Sequence, residues 1–196
     1  MEKYIKELSS SLPAPGGGSS SILNAALGIS LVSMIANISL NNPKYKDNHN
    51  QFKEILNKTE EITKRLLKLK KQDEEIFLIL KEAYKDKPKI EDALIEAIKA
   101  PKETLDIIYN FTSKLSNLIE ITPKLLLSDL GISISHLNSS AEGCTLTILV
   151  NTNLLKNKDL KEEINIEVNN KLTLINNLHK DIYNNIKRKL ENKWYF

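Results

Sequence analysis

The chain has 196 residues, a net charge of +3 at neutral pH and charged residues at 27% of its positions. This length predicts a single domain over residues 1–196, large enough to bury a hydrophobic core. The charge lacks the strong basic excess of a nucleic-acid-binding protein, and Arg65 and Arg188 are the only arginines. We therefore expect no nucleic-acid partner.

Cysteine content and the first residues bear on the compartment. The single cysteine, Cys144, cannot form an internal disulfide, which is typical of proteins from a reducing environment. The opening residues, MEKYIKELSS, are charged and amphipathic and lack the apolar core of a signal peptide. Together these features predict a cytoplasmic protein.

Apolar residues recur at helical spacing along almost the whole chain, and no stretch alternates convincingly with the period of two that is typical of strands. Even the best strand candidate, residues 144–150 (CTLTILV), is predicted as helix. We therefore predict an all-α, up-and-down bundle of about five to six helices with short loops. The predicted helices lie at about residues 2–10, 19–40, 47–84, 91–121, 123 onward and 159 to near the C-terminus.

Proline marks two interruptions in this pattern. Pro88 separates the third predicted helix from the fourth. Pro101 falls inside the fourth helix and is expected to bend or restart it, because proline removes a backbone hydrogen-bond donor. The aromatic C-terminus, Trp194 to Phe196, is predicted either to dock or to fray.

The second predicted helix, which starts at Ser19 or Ser20 and ends near Leu40, is apolar on most of its faces. It is long enough to span a bilayer, but residues such as Asn24 would then need hydrogen-bond partners in hydrocarbon. A central position in a bundle or at a subunit interface explains the pattern better. Small residues here and at 131–143 predict tight helix contacts within or between chains, and we expect no membrane span.

Three consecutive glycines, Gly16 to Gly18, precede this helix. A tight turn needs only about one glycine, because each costs conformational entropy on folding. Three allow bare backbone amides to approach a ligand closely, at a helix N-terminus whose unpaired donors favour an anion or a polar acceptor. A loose connection between helices explains the residues equally well, and neither a P-loop nor a Rossmann turn fits the pattern.

Asp73 interrupts the apolar seam of the third predicted helix, between Leu69 and Ile76. A carboxylate at such a position is paired, protonated or facing a polar cavity, since burying it alone is costly. Partial burial would raise its pKa toward the range useful for general acid–base catalysis. The alternatives are a seam that rotates to leave Asp73 at the solvent edge, and a polar residue that fixes the register of the bundle.

Ser128 and Asp129 form a second polar spot, although these residue types near a helix start usually act as caps. The three histidines, His49, His136 and His179, lack metal-ligand spacing, so we predict no metal site. His136 is interpreted as a core histidine whose hydrogen bonds are satisfied.

Several of these features occur together in one known family. The segment Pro13-Ala14-Pro15-Gly16-Gly17-Gly18-Ser19, followed by a small-residue apolar helix, resembles the cyclodeaminase/cyclohydrolase family of folate enzymes. Further matches follow in the same order along essentially the whole chain: Lys44-Tyr45, Asp73-Glu74-Glu75-Ile76-Phe77, Ala100-Pro101 and Ser128-Asp129-Leu130-Gly131.

The resemblance implies an all-α homodimer that acts as a formiminotetrahydrofolate cyclodeaminase or a methenyltetrahydrofolate cyclohydrolase. Its substrate would be a tetrahydrofolate derivative, with or without a polyglutamate tail, and it would hold no prosthetic group. The resemblance further implies that Asp73 is the catalytic carboxylate, and we hypothesise from charge that lysines such as Lys44 attract the acidic tail. The implied substrate-binding residues are Pro15, Gly16, Gly17, Gly18, Ser19, Lys44, Tyr45, Ser128 and Asp129.

Three departures from the family's pattern bear on turnover. Ala14 replaces the usual threonine between the two prolines, and Glu74 and Ile76 replace small residues after the aspartate. Residues 123–127 (PKLLL) replace a segment that commonly contains asparagine. A folate-binding bundle without turnover and a purely structural dimeric bundle are therefore the alternatives.

Overall fold

The computed structural model describes residues 1–84 and 89–191. Within these ranges the chain forms seven α-helices and two short 3-10 segments, and no strand. The predicted all-α bundle is confirmed, with seven helices in place of five to six. The helices are α1 Glu2–Leu8, α2 Gly17–Leu40, α3 His49–Ala83, α4 Ile90–Thr112, α5 Ser116–Ile121, α6 Leu127–Thr152 and α7 Lys158–Glu191, with 3-10 segments at Pro43–Asn48 and Lys124–Leu126.

The predicted helix over residues 91–121 is wrong in one respect, because it is two helices. The amides of Lys114 and Leu115 bond to carbonyls only three residues earlier, on Phe111 and Thr112, and this tightening ends α4. In contrast, α4 continues through Pro101 without a restart. Residues 144–150 lie in α6, which confirms the helical prediction for that segment. Pro88 and the Trp194–Phe196 tail lie outside the described residues.

α2 occupies the centre of the bundle, packed against α3 and α6. Two buried hydroxyl groups on α6 tie the helices together. Ser133 donates to the carbonyl of Gly28 at 2.7 Å, and Ser140 donates to the carbonyl of Ser21 at 2.6 Å. Because residue numbers rise on one helix as they fall on the other, α2 and α6 are antiparallel. The small residues thus form the close contact that the sequence predicts.

Among the described residues, α2 is also the one helix long and apolar enough, by length and composition, to cross a membrane. In this structure 44% of its most apolar stretch is buried by other parts of the bundle. Packing between α3 and α6 therefore accounts for much of its apolar composition.

Ion pairs join the outer helices. Arg65 on α3 binds Glu103 on α4 through two guanidinium nitrogens. Lys102 on α4 binds Glu167 on α7 at 2.6 Å. These ion pairs link α3 to α4 and α4 to α7 on the outside of the bundle.

The bundle has two ends that differ in composition. The upper end contains the first turn of α2 and the part of α3 around Asp73, which runs antiparallel to α2. The lower end contains the last turn of α2, the Pro43–Asn48 segment and the start of α6. The 24 residues of α2 separate these ends by about 36 Å, at 1.5 Å per residue.

Candidate active site

Asp73 lies in the seam of α3 with 9% of its surface exposed, directly against the first turn of α2. A Cβ atom on Gly18 would lie 2.5 and 2.6 Å from the two carboxylate oxygens of Asp73. Only glycine at position 18 therefore allows this approach. The predicted burial of Asp73 is confirmed, and the alternative that places Asp73 at the solvent edge is wrong.

The surroundings of Asp73 raise its pKa from 3.8 to about 6. Burial is the main cause, since it disfavours the charged form, and the negative charge of Glu74 acts in the same direction. The backbone amide of Ser19, which donates a hydrogen bond to Asp73, and the positive charge of Lys70 both lower the pKa. A carboxyl group with a pKa near 6 can accept and return a proton close to neutral pH.

The glycine segment is the start of α2 and not a separate turn. The helix begins at Gly17, two residues before the predicted cap at Ser19 or Ser20, because Gly16 takes the extended N-cap conformation. The Ser19 hydroxyl accepts the amide of Gly16 at 3.2 Å and donates to the Gly16 carbonyl at 3.1 Å. No described glycine has a positive φ, so these glycines serve close approach and not a left-handed turn.

The first two helical residues differ in their access to a ligand, because Gly17 is exposed whereas Gly18 is buried against Asp73. The first helical hydrogen bond of α2 runs from the amide of Ser20 to the carbonyl of Gly16 at 3.0 Å. The amides of Gly17 and Gly18 precede that bond and have no acceptor within the helix. A Cβ atom at Gly16 or Gly17 would meet nothing within 4 Å, so both residues border open space.

That open space is a pocket of about 330 Å³. Its polar side combines the glycine segment with Asp73 and Glu74, and α3, α4 and α6 supply an apolar wall. Phe77, Leu146 and Val150 on this wall are 46%, 68% and 60% exposed, so the pocket is open on its outer side. The lining residues are Ala14, Gly16, Gly17, Gly18, Asp73, Glu74, Ile76, Phe77, Leu80, Ala97, Leu146, Thr147, Val150 and Asn151.

Sequence reasoning missed the polar contribution of α6. Thr147 and Asn151 face the pocket, and the Asn151 side-chain amide donates to the Thr147 carbonyl at 2.9 Å. Their spacing of four residues places them on one face of α6, which is the signal that could have identified them.

Ala97 on α4 also lines the pocket, and Pro101 lies four residues later. Because proline has no amide hydrogen, the carbonyl of Ala97 lacks the donor that a helix normally provides. The proline inside α4 thus removes the usual helical donor to the carbonyl of a residue that borders the pocket.

The structure brings together only some of the residues predicted to bind substrate. Pro15 is buried immediately before Gly16, and Ser19 contacts both Gly16 and Asp73. Lys44 and Tyr45 lie in the Pro43–Asn48 segment at the lower end, about 36 Å along α2 from Gly17. A single chain therefore does not place Lys44 or Tyr45 at the Asp73 pocket, and their role stays a prediction.

Ser128 and Asp129 also lie at the lower end, in the first turn of α6. They are separated along that helix by about 28 Å from Thr147. Neither residue is the N-cap, which is Leu126, so the interpretation of this pair as a cap is wrong. Ser128 instead borders a second, wider groove of about 620 Å³ between α2, α6 and α7.

His136 lies in this second groove and forms a hydrogen bond with Asn24 across the α2–α6 contact. Its predicted role as a satisfied structural histidine is confirmed, although the residue is half-buried rather than in the core. Within residues 1–84 and 89–191, no group of three or more His, Cys, Asp or Glu side chains is placed to hold a metal ion.

The fold is an all-α bundle in which a buried carboxylate of raised pKa contacts a glycine-rich helix start. The sequence model of the family described as formiminotransferase-cyclodeaminase matches residues 1–170. This range includes the glycine segment, Asp73 and all of α6. The chain therefore belongs to the formiminotransferase-cyclodeaminase family.

Individual relatives agree with this assignment. The chain is 26% identical over 201 residues to a methenyltetrahydrofolate cyclohydrolase from Methylorubrum extorquens, with 97% of each protein covered. Its fold is similar to the crystal structure of formiminotetrahydrofolate cyclodeaminase from Thermotoga maritima. That match has a TM-score of 0.84 at 22% identity and covers 97% of this chain and 95% of the other. The second comparison confirms the fold.

Proposed function

We propose that the protein is a folate one-carbon enzyme that forms or opens the 5,10-methenyl bridge of tetrahydrofolate. The observation that carries this proposal is the contact between buried Asp73 and the first turn of α2, beside a pocket with free backbone donors. Family membership and the name of the full-length relative support the substrate class.

Both reactions of the family need proton transfer, which the Asp73 carboxyl group would carry out. In cyclodeamination, N10 attacks the formimino carbon on N5, the imino nitrogen takes up protons and leaves as ammonia, and the methenyl bridge remains. In cyclohydrolysis, water adds to the bridge carbon, one C–N bond breaks and a formyl group and a proton are produced. A carboxyl group with a pKa near 6 can carry the proton in either direction.

The remaining pocket residues would bind and orient the substrate. The amide of the exposed Gly17 would donate a hydrogen bond to one of its polar atoms, and the Ala97 carbonyl would accept one. Phe77 and Leu146 would cover the flat ring system. Fixing the reacting atoms in this way supplies much of the rate enhancement without further chemistry from the protein.

Opening of the methenyl bridge is the reaction to assay first. The relative that carries this activity in its name matches this chain along 97% of both lengths. The fold shared with a cyclodeaminase keeps the formimino reaction as the second candidate.

We further propose that the enzyme is a homodimer whose subunits complete each other's sites. Exposed apolar side chains follow the outer faces of α2 and α6, and they include Leu27, Ile38, Ile132, Leu146 and Val150. A pocket of 330 Å³ is near the lower limit for ligand sites, so it suits the ring system of folate and leaves the tail outside.

Symmetry explains how the lower end would contribute. In a two-fold dimer the same surface meets itself, and an axis across the helices reverses their direction. The lower end of one subunit then approaches the upper end of the other. Under this arrangement the partner's Ser128 borders the Asp73 pocket, and Lys44 of the partner subunit attracts the glutamate tail.

Two substrates test the activity. The purified protein would be mixed with 5,10-methenyltetrahydrofolate, and separately with 5-formiminotetrahydrofolate, while the methenyl absorbance is followed against buffer alone. Faster loss in the first mixture shows a cyclohydrolase, and gain in the second shows a cyclodeaminase. If neither rate exceeds the buffer rate, the proposed activity is wrong, and binding measured by calorimetry then separates a folate-binding bundle from a structural one.

Mixed dimers test the shared site. Asp73→Asn chains would be refolded together with chains carrying Ser128→Ala and Asp129→Asn. If subunits share sites, heterodimers contain one intact site, and the mixture recovers roughly a quarter of wild-type activity. A mixture that shows only the summed activity of its separate components would place the whole site within one chain.

A further inference from the structure

The N-terminal helix α1 reaches the site through one side chain. None of the seven residues of α1 is buried, yet Tyr4 is half-buried at the upper end of the bundle. The Tyr4 hydroxyl lies 3.3 Å from the Ser19 hydroxyl, and the Lys70 ammonium lies 4.5 Å from the centre of the Tyr4 ring. Tyr4 thus contacts one neighbour of Asp73 on α2 and another on α3.

The hydroxyl groups of Tyr4 and Ser19 are joined by a hydrogen bond. The Ser19 hydroxyl uses its only hydrogen to donate to the Gly16 carbonyl, and it accepts the Gly16 amide. Either hydroxyl can be the donor between Tyr4 and Ser19, and with the Ser19 hydrogen on the Gly16 carbonyl the Tyr4 hydroxyl donates to the remaining lone pair of Ser19. With this third bond the Ser19 hydroxyl is saturated, so Tyr4 braces the helical turn whose Ser19 amide bonds to Asp73.

Lys70 is held on two sides. It forms an ion pair of 2.6 Å with Glu74, one turn further along α3, and the ring of Tyr4 faces its ammonium group. Only 18% of the Lys70 side chain is exposed, so these contacts are partly shielded from water. Lys70 precedes Asp73 by three residues, which places its charge on the same side of the helix.

We propose that Tyr4 is a positioning residue of the Asp73 site. By holding the Ser19 hydroxyl and the Lys70 ammonium together, it keeps the Ser19 amide and the Lys70 charge directed at the Asp73 carboxylate. Its meaning for catalysis rests on the proposed function, whereas the contacts themselves do not. α1 is in this respect a part of the active site, and not a separate N-terminal appendage.

The charged and titratable groups around Asp73 set the sign of the expected effect. Lys70 and Glu74 face it from α3, and the thiol of Cys144 approaches it from α6. Burial raises the pKa of Cys144 to about 12, so that thiol stays neutral near pH 7. Both groups that Tyr4 holds lower the pKa of Asp73. Loosening them therefore raises that pKa further above 6.

Two substitutions separate the two contacts. Tyr4→Phe removes the hydroxyl and keeps the ring over Lys70, whereas Tyr4→Leu removes both. Ile5→Ala is the matched control, because Ile5 is 55% exposed on the same helix. Each protein would carry ¹³C-labelled aspartate carboxyl groups, and the Asp73 signal would be assigned by its absence in Asp73→Asn. The titration of this signal and the pH dependence of turnover would then be measured.

We expect the Asp73 titration to move upward in Tyr4→Phe and further in Tyr4→Leu, with no movement in Ile5→Ala. The rate constant kcat should fall by about fivefold in Tyr4→Phe, the factor that corresponds to one hydrogen bond, and by more in Tyr4→Leu. Circular dichroism should show unchanged helicity, because α1 lies outside the core.

An unmoved Asp73 titration in both Tyr4 variants would overturn the proposal, and so would an equal shift in Ile5→Ala. A fall in rate with an unmoved pH profile would reduce Tyr4 to a structural role. If the wild-type protein turns over neither folate, the proposed function fails, but the carboxyl titration still decides whether Tyr4 acts on Asp73.

Discussion

The two ends of the bundle carry residues of the same family pattern in opposite physical states. At the upper end, Asp73 is buried against Gly18 and its protonation is set by its neighbours. At the lower end, Lys44 and Ser128 are exposed. The difference shows that one chain places a buried, titratable carboxylate and exposed polar residues at opposite ends of the same bundle.

The largest expected effect removes the ionisable group of the upper end. Asp73→Asn keeps the size of the side chain but cannot shuttle a proton. Turnover of whichever folate is the substrate should fall by about 10²- to 10⁴-fold, the usual contribution of a general acid–base group. Initial rates from the methenyl absorbance measure this, with circular dichroism as the control for folding. If Asp73→Asn retains a turnover rate within a few-fold of wild type, Asp73 is not the acid–base group and the upper end has no special role in catalysis.

The same substitution should stabilise the protein in a pH-dependent way. The folded-state pKa of Asp73, about 6, exceeds its ordinary value, so the folded protein binds more protons than the unfolded chain between about pH 4 and 6. The free energy of unfolding therefore falls as pH rises through this window, by up to about 3 kcal/mol. Asp73→Asn should match wild type near pH 4 and unfold at a higher temperature at pH 8.

Scanning calorimetry at the two pH values measures this difference. A gap in melting temperature that is equal at pH 4 and pH 8 would mean that Asp73 titrates normally. A less stable Asn variant at pH 8 would mean that the carboxylate gains more from its neighbours than it loses by burial.

Neighbouring glycines at the upper end provide a matched pair. Gly18→Ala places a methyl group 2.5 Å from an Asp73 oxygen and must displace the carboxylate, whereas Gly17→Ala meets nothing within 4 Å. A displacement of this size should cost about 10²-fold in kcat. The Gly17 variant leaves Asp73 in place, so its kcat should stay within a few-fold of wild type, and any loss should appear in KM because the added methyl group borders the pocket. Equal losses in both would show that the segment acts only through flexibility.

The smallest expected effect concerns the lower end. Lys44→Glu should raise KM for a polyglutamylated folate by about threefold, as expected for an exposed ion pair, and should leave the monoglutamate unaffected. The effect should weaken at high salt. Lys46→Glu, in the same exposed segment, is the control. Equal changes for both tail lengths would contradict a role of Lys44 in binding the tail.

Local patterns predicted the upper end well. The apolar seam of α3 offered an inner position for Asp73 and left a position at the solvent edge open, and the structure buries Asp73 together with Leu66, Leu69 and Leu80. Three glycines before an apolar helix allowed a close backbone approach, although a loose connection explained them equally well. The contact between Gly18 and Asp73 required the fold, since α2 and α3 meet only after the chain reverses direction.

Other parts of the site depend on three-dimensional relations that a linear pattern does not contain. Ser128 and Lys44 match a family pattern, but the pattern does not state at which end of the bundle they lie. The break between α4 and α5 arises from two tightened hydrogen bonds, and no proline or glycine marks it. Tyr4 contacts Ser19 and Lys70 from a distant part of the sequence, and it looks ordinary within its own helix.

The most direct test of the account is the pH dependence of kcat/KM for the opening of 5,10-methenyltetrahydrofolate, corrected for the buffer reaction. With the Asp73 carboxylate as the base, the rate should rise with pH, bend near pH 6 and level off above it. Asp73→Asn should lose this bend together with the activity. An enzymatic rate that does not change between pH 5 and 7, or a bend that persists in the Asn variant, would contradict the account.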